Sequence, residues 1–165
     1  MRIGLISDTH GLLRPEALHF LRGSDAIIHG GDIGPPDLLD ALRVLAPLTV
    51  VRGNNDTAPW ARSIEEACTV DFDGRRVHVL HDLKQLALHP EAEDIAVVVT
   101  GHTHKPLVRR VGGVIYINPG SAGPRRFSLP IAVGELVLRP DGIDARTVEL
   151  DVPPARAARK TARSS

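Results

Sequence analysis

Short apolar runs alternate with longer amphipathic ones through the first fifty residues. "RIGLIS" (2–7) has the length and β-branching of a buried strand. "RPEALHFLRG" (14–23) predicts a helix, with Pro15 near its start and Gly23 at its end. "DAIIHGGD" (25–32) reads as a second strand and "PLTVVRG" (47–53) as a third. Between them, "PPDLLDALRVLA" (35–46) places Leu38, Leu39, Leu42 and Leu45 on one helical face. Strand, helix, strand, helix, strand predicts a parallel βαβ arrangement.

The second half changes period. "CTVDFDGRRVHVLHD" (68–82) is a hairpin turning at "DG". "DIAVVVTGH" contains another buried strand. "PLVRRVGGVIYINPG" (106–120) is a hairpin around Gly112 and Gly113, and "IAVGELVLRPDGIDARTVEL" (131–150) another, turning at Asp141 and Gly142. Two packed sheets with helices outside accommodate both halves, which makes the fold class α/β. No internal repeat or linker is visible. The expected organisation is one domain over 1–150, followed by a basic, disordered tail over 151–165.

Composition narrows this picture a little. With 42% hydrophobic and 24% charged residues among 165, the chain is an ordinary globular one with enough length for a sizeable core. No apolar run approaches the ~20 residues of a membrane helix, and "MRIGLISDTH" lacks signal-peptide character. Cys68 is the single cysteine, in keeping with a reducing, cytoplasmic location. Net charge is zero, but Arg156, Arg159, Lys160 and Arg163 sit together in the tail. Without them, 16 basic residues face 20 acidic ones. Such a body offers no electrostatic footprint for nucleic acid.

The informative polar residues are positional. "SDTH", "GGD", "RGNND", "LHD" and "TGHTH" each follow an apolar strand. In open α/β sheets, ligands bind at the carboxyl ends of strands. Asp8, His10, Asp32, Asn54, His81, His102 and His104 mix imidazole with oxygen donors, a set suited to Mn, Fe, Ni, Co or Zn. The i, i+2 spacing of Asp8/His10 and His102/His104 would aim each pair to one side of an extended segment. Seven ligands exceed one tetrahedral ion and suit two ions sharing a carboxylate, able to clamp a phosphate.

"DTH", "GD", "GNND", "GHTH" and "NPGS", in this order, resemble the calcineurin-like metallophosphoesterase superfamily, and within it the short single-domain bacterial and archaeal phosphodiesterases. The resemblance covers about residues 1 to 150. It implies a four-layer α/β/β/α sandwich of two mixed sheets flanked by helices. It also implies two divalent metal ions, Mn first, with Ni, Co, Fe or Zn as alternatives. Asp8, His10 and His104 resemble the ligands of one ion, Asn54, His81 and His102 those of the other, and Asp32 the bridge. The implied chemistry is in-line attack of a metal-bound hydroxide on the phosphorus of a small phosphoester, most often a diester. Homodimers or homotetramers are frequent in the family.

Asn55 stands where larger members carry histidine. An amide cannot act as a general acid but can hydrogen-bond a phosphoryl oxygen, so diesters or activated esters are expected substrates. Asn55 and Asp56 are assigned to the catalytic group, Asp56 as support behind it. Asn55 and Arg125 are the candidate substrate contacts. Asp82, where many members have glycine, has two readings: orienting a ligand histidine or facing solvent. Arg52, His29 and His78 read as structural, His19 and His89 as surface residues, and "EE" (65–66) and "EAED" (91–94) as solvated. Ser121 lies outside any G-x-S-x-G elbow. A catalytically weak metal-binding scaffold of the same fold, like the retromer subunit, is the alternative. A nuclease is disfavoured by the missing histidine and the lack of a basic body.

Overall fold

The apolar runs become ten strands in two five-stranded sheets. In the computed structural model, which describes residues 1–153, they are β1 (Arg2–Ile6), β2 (Ala26–His29), β3 (Leu48–Val50), β4 (Ala67–Phe72), β5 (Arg75–Leu80), β6 (Ile95–Val99), β7 (Leu107–Val111), β8 (Val114–Asn118), β9 (Ala132–Arg139) and β10 (Gly142–Glu149). Helices α1 (Pro15–Leu21) and α2 (Asp37–Arg43) occupy the predicted stretches. The basic tail expected at 151–165 lies outside the described residues from position 154 onward.

The first sheet runs β10-β9-β1-β2-β3 and the second β4-β5-β6-β8-β7. Each is built around a parallel trio, at one edge of the first sheet and in the middle of the second. β1, β2 and β3 are parallel, with β9 antiparallel to β1 and β10 to β9. β5, β6 and β8 are parallel, with β4 antiparallel to β5 and β7 to β8. Each parallel trio ends at the same rim of the sandwich, which gathers the polar clusters there.

Alternation decides what each face buries. Ile3, Leu5 and Ile28 point into the core between the sheets, where Val77, Val79, Val97, Val99, Ile115 and Ile117 meet them. Ile6, Ile27 and Val133 point the other way, against Leu21 of α1 and Leu38, Leu39 and Leu42 of α2. Each such fully buried aliphatic side chain contributes about 1.5–3 kcal/mol. Gly4 lets α1 lie close, since a Cβ there would stand 2.5 Å from Leu21 Cδ2.

The fourth layer is thin. On the outer face of the second sheet, Leu80, Ile95, Val98 and Val114 are covered by Leu83, Leu86 and Leu88. Those residues come from a single 3₁₀ turn, Leu83–Gln85, and the chain after it, with no α-helix. A second 3₁₀ turn, Pro59–Ser63, carries Trp60 to the helical side. No helix among the described residues is long and apolar enough to cross a membrane.

Candidate metal centre

Past the strand ends the backbone stays paired, and that pairing sets the ligands. Asp8 N–H donates to Gly31 O at 3.0 Å and His10 N–H to Asp32 O at 3.0 Å, continuing the β1–β2 register into the loops. Gly101 N–H donates to His81 O at 2.9 Å in the second sheet. Side chains from both sheets therefore face one another across the rim.

The i, i+2 pairs do not converge by extended alternation. Asp8 (φ 53°), His10 (44°), Asp32 (56°), His102 (71°) and His104 (61°) all adopt left-handed backbone conformations. They are five of the eight non-glycine residues with positive φ among those described, so strained backbone is concentrated where the candidate ligands lie. Such conformations cost about 1–3 kcal/mol each, and accumulate where surrounding structure or function holds them. Asp8 and His10 share one cluster. His102 and His104 part company, His104 joining Asp8 and His10 while His102 turns to Asn54.

Two triads have one ligand atom each within 4.8 Å of the others: Asp8, His10 and His104, and Asp8, Asp32 and His81. Asp8 Oδ1 belongs to both, 3.2 Å from His104 Nε2 and 3.9 Å from His81 Nε2. Asp32 Oδ2 also sits between two imidazoles, 3.3 Å from His81 Nε2 and 3.7 Å from His10 Nε2. The His10 and His104 rings are 5.3 Å apart and the His81 and His102 rings 5.2 Å apart. Two histidine pairs thus flank two carboxylates.

Three buried polar atoms in this cluster have no hydrogen-bond partner: Asp8 Oδ1, His81 Nε2 and His104 Nδ1. An unsatisfied buried polar group costs about 1–3 kcal/mol, more when charged. His81 Nδ1–H donates to Gly30 O at 2.7 Å, so the neutral ring directs its Nε2 lone pair at two carboxylates. An electron pair directed at anions is accommodated by a cation between them. The nitrogen and oxygen donor set, with its orphaned atoms, fits divalent transition metal ions.

Electrostatics agree. Burial opposes ionisation of Asp32, yet the His81 imidazole 3.3 Å away, a hydrogen bond from the Asn55 backbone and the charges of His81 and His10 bring its pKa down to about 2. Burial works against protonated His81, but Asp32 and Asp8 pull its pKa above the ordinary value. His10 is lowered by burial and then by Arg126 and His104, against the opposing pull of Asp32 and Asp8.

The "GNND" loop is stapled to "GGD" from both directions. Asn55 donates to Asp32 twice, from its backbone N–H to Oδ1 and from its side-chain amide to Oδ2, each at 2.9 Å. Asp56 is buried and accepts from Ile33 N–H at 2.9 Å and Gly53 N–H at 2.8 Å, committing both oxygens to backbone. Gly53 must lack a side chain, because a Cβ would run into the Asp32 carboxylate. Asn54 is exposed, with Oδ1 3.1 Å from His102 Nδ1. Arg52 pairs with Glu66 at 3.0 Å, and both border a small cavity shared with Asn54, His81 and His102.

Some contributors carry no obvious sequence signal. Ser7 Oγ donates to Asp8 Oδ2 at 2.7 Å, and the His102 backbone N–H reaches the same oxygen at 3.1 Å. Asn118 anchors the "GHTH" loop, its amide donating to Gly101 O at 2.7 Å and Thr103 Oγ1 at 3.1 Å. Ser121 Oγ donates to Asp8 O at 2.9 Å, a structural bond. Arg125 turns back to Leu129 O at 3.4 Å within its own loop, while the charge of neighbouring Arg126 bears on His10. Asp82 Oδ2 lies 3.8 Å from His102 Nε2. Buried His29 accepts from Gly31 N–H at Nδ1 and donates from Nε2 to Thr9 Oγ1, whose hydroxyl in turn donates to Ile33 O at 2.8 Å. Burial holds its pKa at about 4, so it stays neutral.

Comparison with known proteins agrees with this geometry. The family profile described as the calcineurin-like phosphoesterase superfamily domain matches residues 1–138. A "Probable metallophosphoesterase" of Methanothermobacter thermautotrophicus is 35% identical over 170 residues, spanning 95% of this chain and 97% of its own. A phosphodiesterase of Methanocaldococcus jannaschii is 28% identical over 138 residues, 73% of this chain and 83% of its own. Among solved structures, Vps29 of Entamoeba histolytica in complex with zinc has the same fold at a TM-score of 0.69 and 23% identity, over 90% of this chain and 99% of that one.

Proposed function

The chain belongs to the calcineurin-like phosphoesterase superfamily, and from that premise we propose that it is a metal-dependent phosphodiesterase built on two divalent ions. The observation that carries the reading is the pair of orphaned buried atoms Asp8 Oδ1 and His81 Nε2, which face each other in a cluster of two carboxylates and four imidazoles. Asp8, His10 and His104 would hold one ion, and Asn54, His81 and His102 the other. Asp32, placed between His10 and His81, would join them. The name of the Methanocaldococcus relative supports the activity, and the zinc complex of the Entamoeba protein supports metal binding by this fold.

Bound metal supplies Lewis acidity toward a phosphoryl oxygen and brings the pKa of a water nucleophile down toward ~7. The protein's own groups do the rest. Asp32 is kept ionised by His81 and Asn55. The Asn55 amide, on Asp32 Oδ2, is poised to turn toward a phosphoryl oxygen, but has no proton to give a leaving alkoxide. The reading therefore favours diesters and activated esters. Asp56 serves as a positioning residue that fixes the loop bearing Asn54 and Asn55. Arg125 is the candidate substrate contact of its loop, and the charge of neighbouring Arg126 bears on His10.

Hydrolysis of bis(4-nitrophenyl) phosphate and of 4-nitrophenyl phosphate by Mn²⁺-loaded protein tests this, with chelated protein and Asp32→Asn as controls. Metal-dependent turnover, higher on the diester and lost in Asp32→Asn, is the expected result. Absence of turnover with two bound metals would favour a scaffold of this fold instead.

A further inference from the structure

His102 borders two spaces. One side meets Asn54 at the ligand rim; the other forms part of the wall of a cavity of about 470 Å³. That volume is within the ~300–1,000 Å³ of small-molecule sites. The far wall comes from Leu83 and Lys84 of the 3₁₀ turn, Leu107 and Arg109 of β7, and Tyr116 of β8.

The lining has a specific chemistry. The Arg109 guanidinium lies over the Tyr116 ring, 5.2 Å from its centroid, and presents a flat cationic face. Leu83, Leu107 and Tyr116 supply apolar surface. Lys84 and Arg109 form no ion pair among the described residues, and the acid of the lining is engaged elsewhere. Asp82 Oδ1 accepts from the Lys84 backbone N–H at 3.0 Å, and Oδ2 faces His102 at 3.8 Å. A planar group can stack on the guanidinium, and an anion attached to it would meet two unpaired cations.

We infer that this cavity receives a nucleotide, as the ester group of the phosphodiester that extends past His102. Its base stacks on the Arg109–Tyr116 pair and its further phosphate meets Lys84 and Arg109. The place of this nucleotide in the reaction rests on the phosphodiesterase reading; its binding does not.

Calorimetric titration of thymidine 3′,5′-bisphosphate into chelator-treated, full-length protein tests the binding directly. Thymidine and inorganic phosphate serve as partial probes. Saturable binding of the bisphosphate is expected, with Lys84→Met and Arg109→Leu each weakening it about tenfold or more. Both positions are exposed, so unchanged thermal melts should accompany the loss. Mn²⁺-dependent turnover of bis(4-nitrophenyl) phosphate, which lacks the second charge, should be unchanged in Lys84→Met, whose lost group meets only that charge. No saturable binding, equal binding by both variants, or inorganic phosphate binding as well as the bisphosphate would each overturn the nucleotide site. Intact bisphosphate binding without turnover of the aryl diester would overturn the phosphodiesterase reading and leave the site standing.

Discussion

Replacing Asp56 with asparagine should loosen the rim without removing any candidate ligand. The carboxylate is buried and spends one oxygen on Ile33 N–H (2.9 Å) and the other on Gly53 N–H (2.8 Å). Hydrogen bonds to a charged acceptor contribute about 1.5–3 kcal/mol each, and a buried N–H left facing an amide N–H adds a desolvation cost. An asparagine keeps one acceptor, so one bond is lost and the other weakened, for a net loss of about 2–4 kcal/mol. Asp56→Ala should cost more. For a chain of this length each kcal/mol lowers Tm by roughly 2–4 °C. Urea denaturation of chelated wild type and Asp56→Asn measures the stability loss without metal linkage. Metal titration of the same proteins should then show weaker affinity, because the loop carrying Asn54 is less firmly held. If Asp56→Asn keeps full stability and metal affinity but loses turnover, Asp56 acts on the substrate and the staple argument is wrong.

Other consequences follow from neighbouring residues. Asp8→Asn removes a carboxylate whose Oδ1 is orphaned, so the chelated variant should be at least as stable as chelated wild type, while the rise in Tm on adding Mn²⁺ disappears; a large loss of stability in chelator would count against the orphan argument. Asn55→Ala keeps the backbone bond to Asp32 but deletes the amide bond, and should slow diester turnover about tenfold, to a similar extent across leaving groups. A loss that grows steeply with poorer leaving groups would show that Asn55 acts on the leaving oxygen instead. Glu135 lies 2.6 Å from Arg2 and from Arg146; burial opposes its ionisation, but these two partners hold its pKa below the ordinary value. Its stabilisation is therefore present above the unfolded pKa of about 4.3 and lost as pH falls through the lower folded value. Glu135→Gln should cost about 1–2 kcal/mol at pH 7, since both arginines can return to water, and progressively less below pH 4, as paired denaturation curves at the two pH values would show.

Much of the architecture was legible because it rests on period. Alternating runs marked the strands, "DG", "GG" and "PDG" marked the hairpins, and the Leu38–Leu45 face marked α2. The 3₁₀ turn at Pro59–Ser63 has no period to read, and the cover of the second sheet's outer face comes from leucines in a loop. At the site, the seven candidate ligands stood out because polar residues followed apolar strands. Extended geometry predicts that the i, i+2 pairs converge, whereas Asp8, His10, Asp32, His102 and His104 have left-handed φ values. The supporting bonds of Asp56 and Asn118 join loops from different strands, a relation that local sequence spacing does not encode. Arg125 and Arg126 are adjacent and chemically identical in the sequence. Only the path of their loop turns one to Leu129 and leaves the other's charge bearing on His10.

The central claim is that two metal ions lie side by side at this rim, and anomalous scattering from crystals grown with Mn²⁺ tests it most directly. The account predicts two peaks about 3.5–4 Å apart, one among Asp8, His10 and His104 and one among Asn54, His81 and His102, with Asp32 between. A single peak at full occupancy, or peaks only elsewhere on the surface, would contradict it.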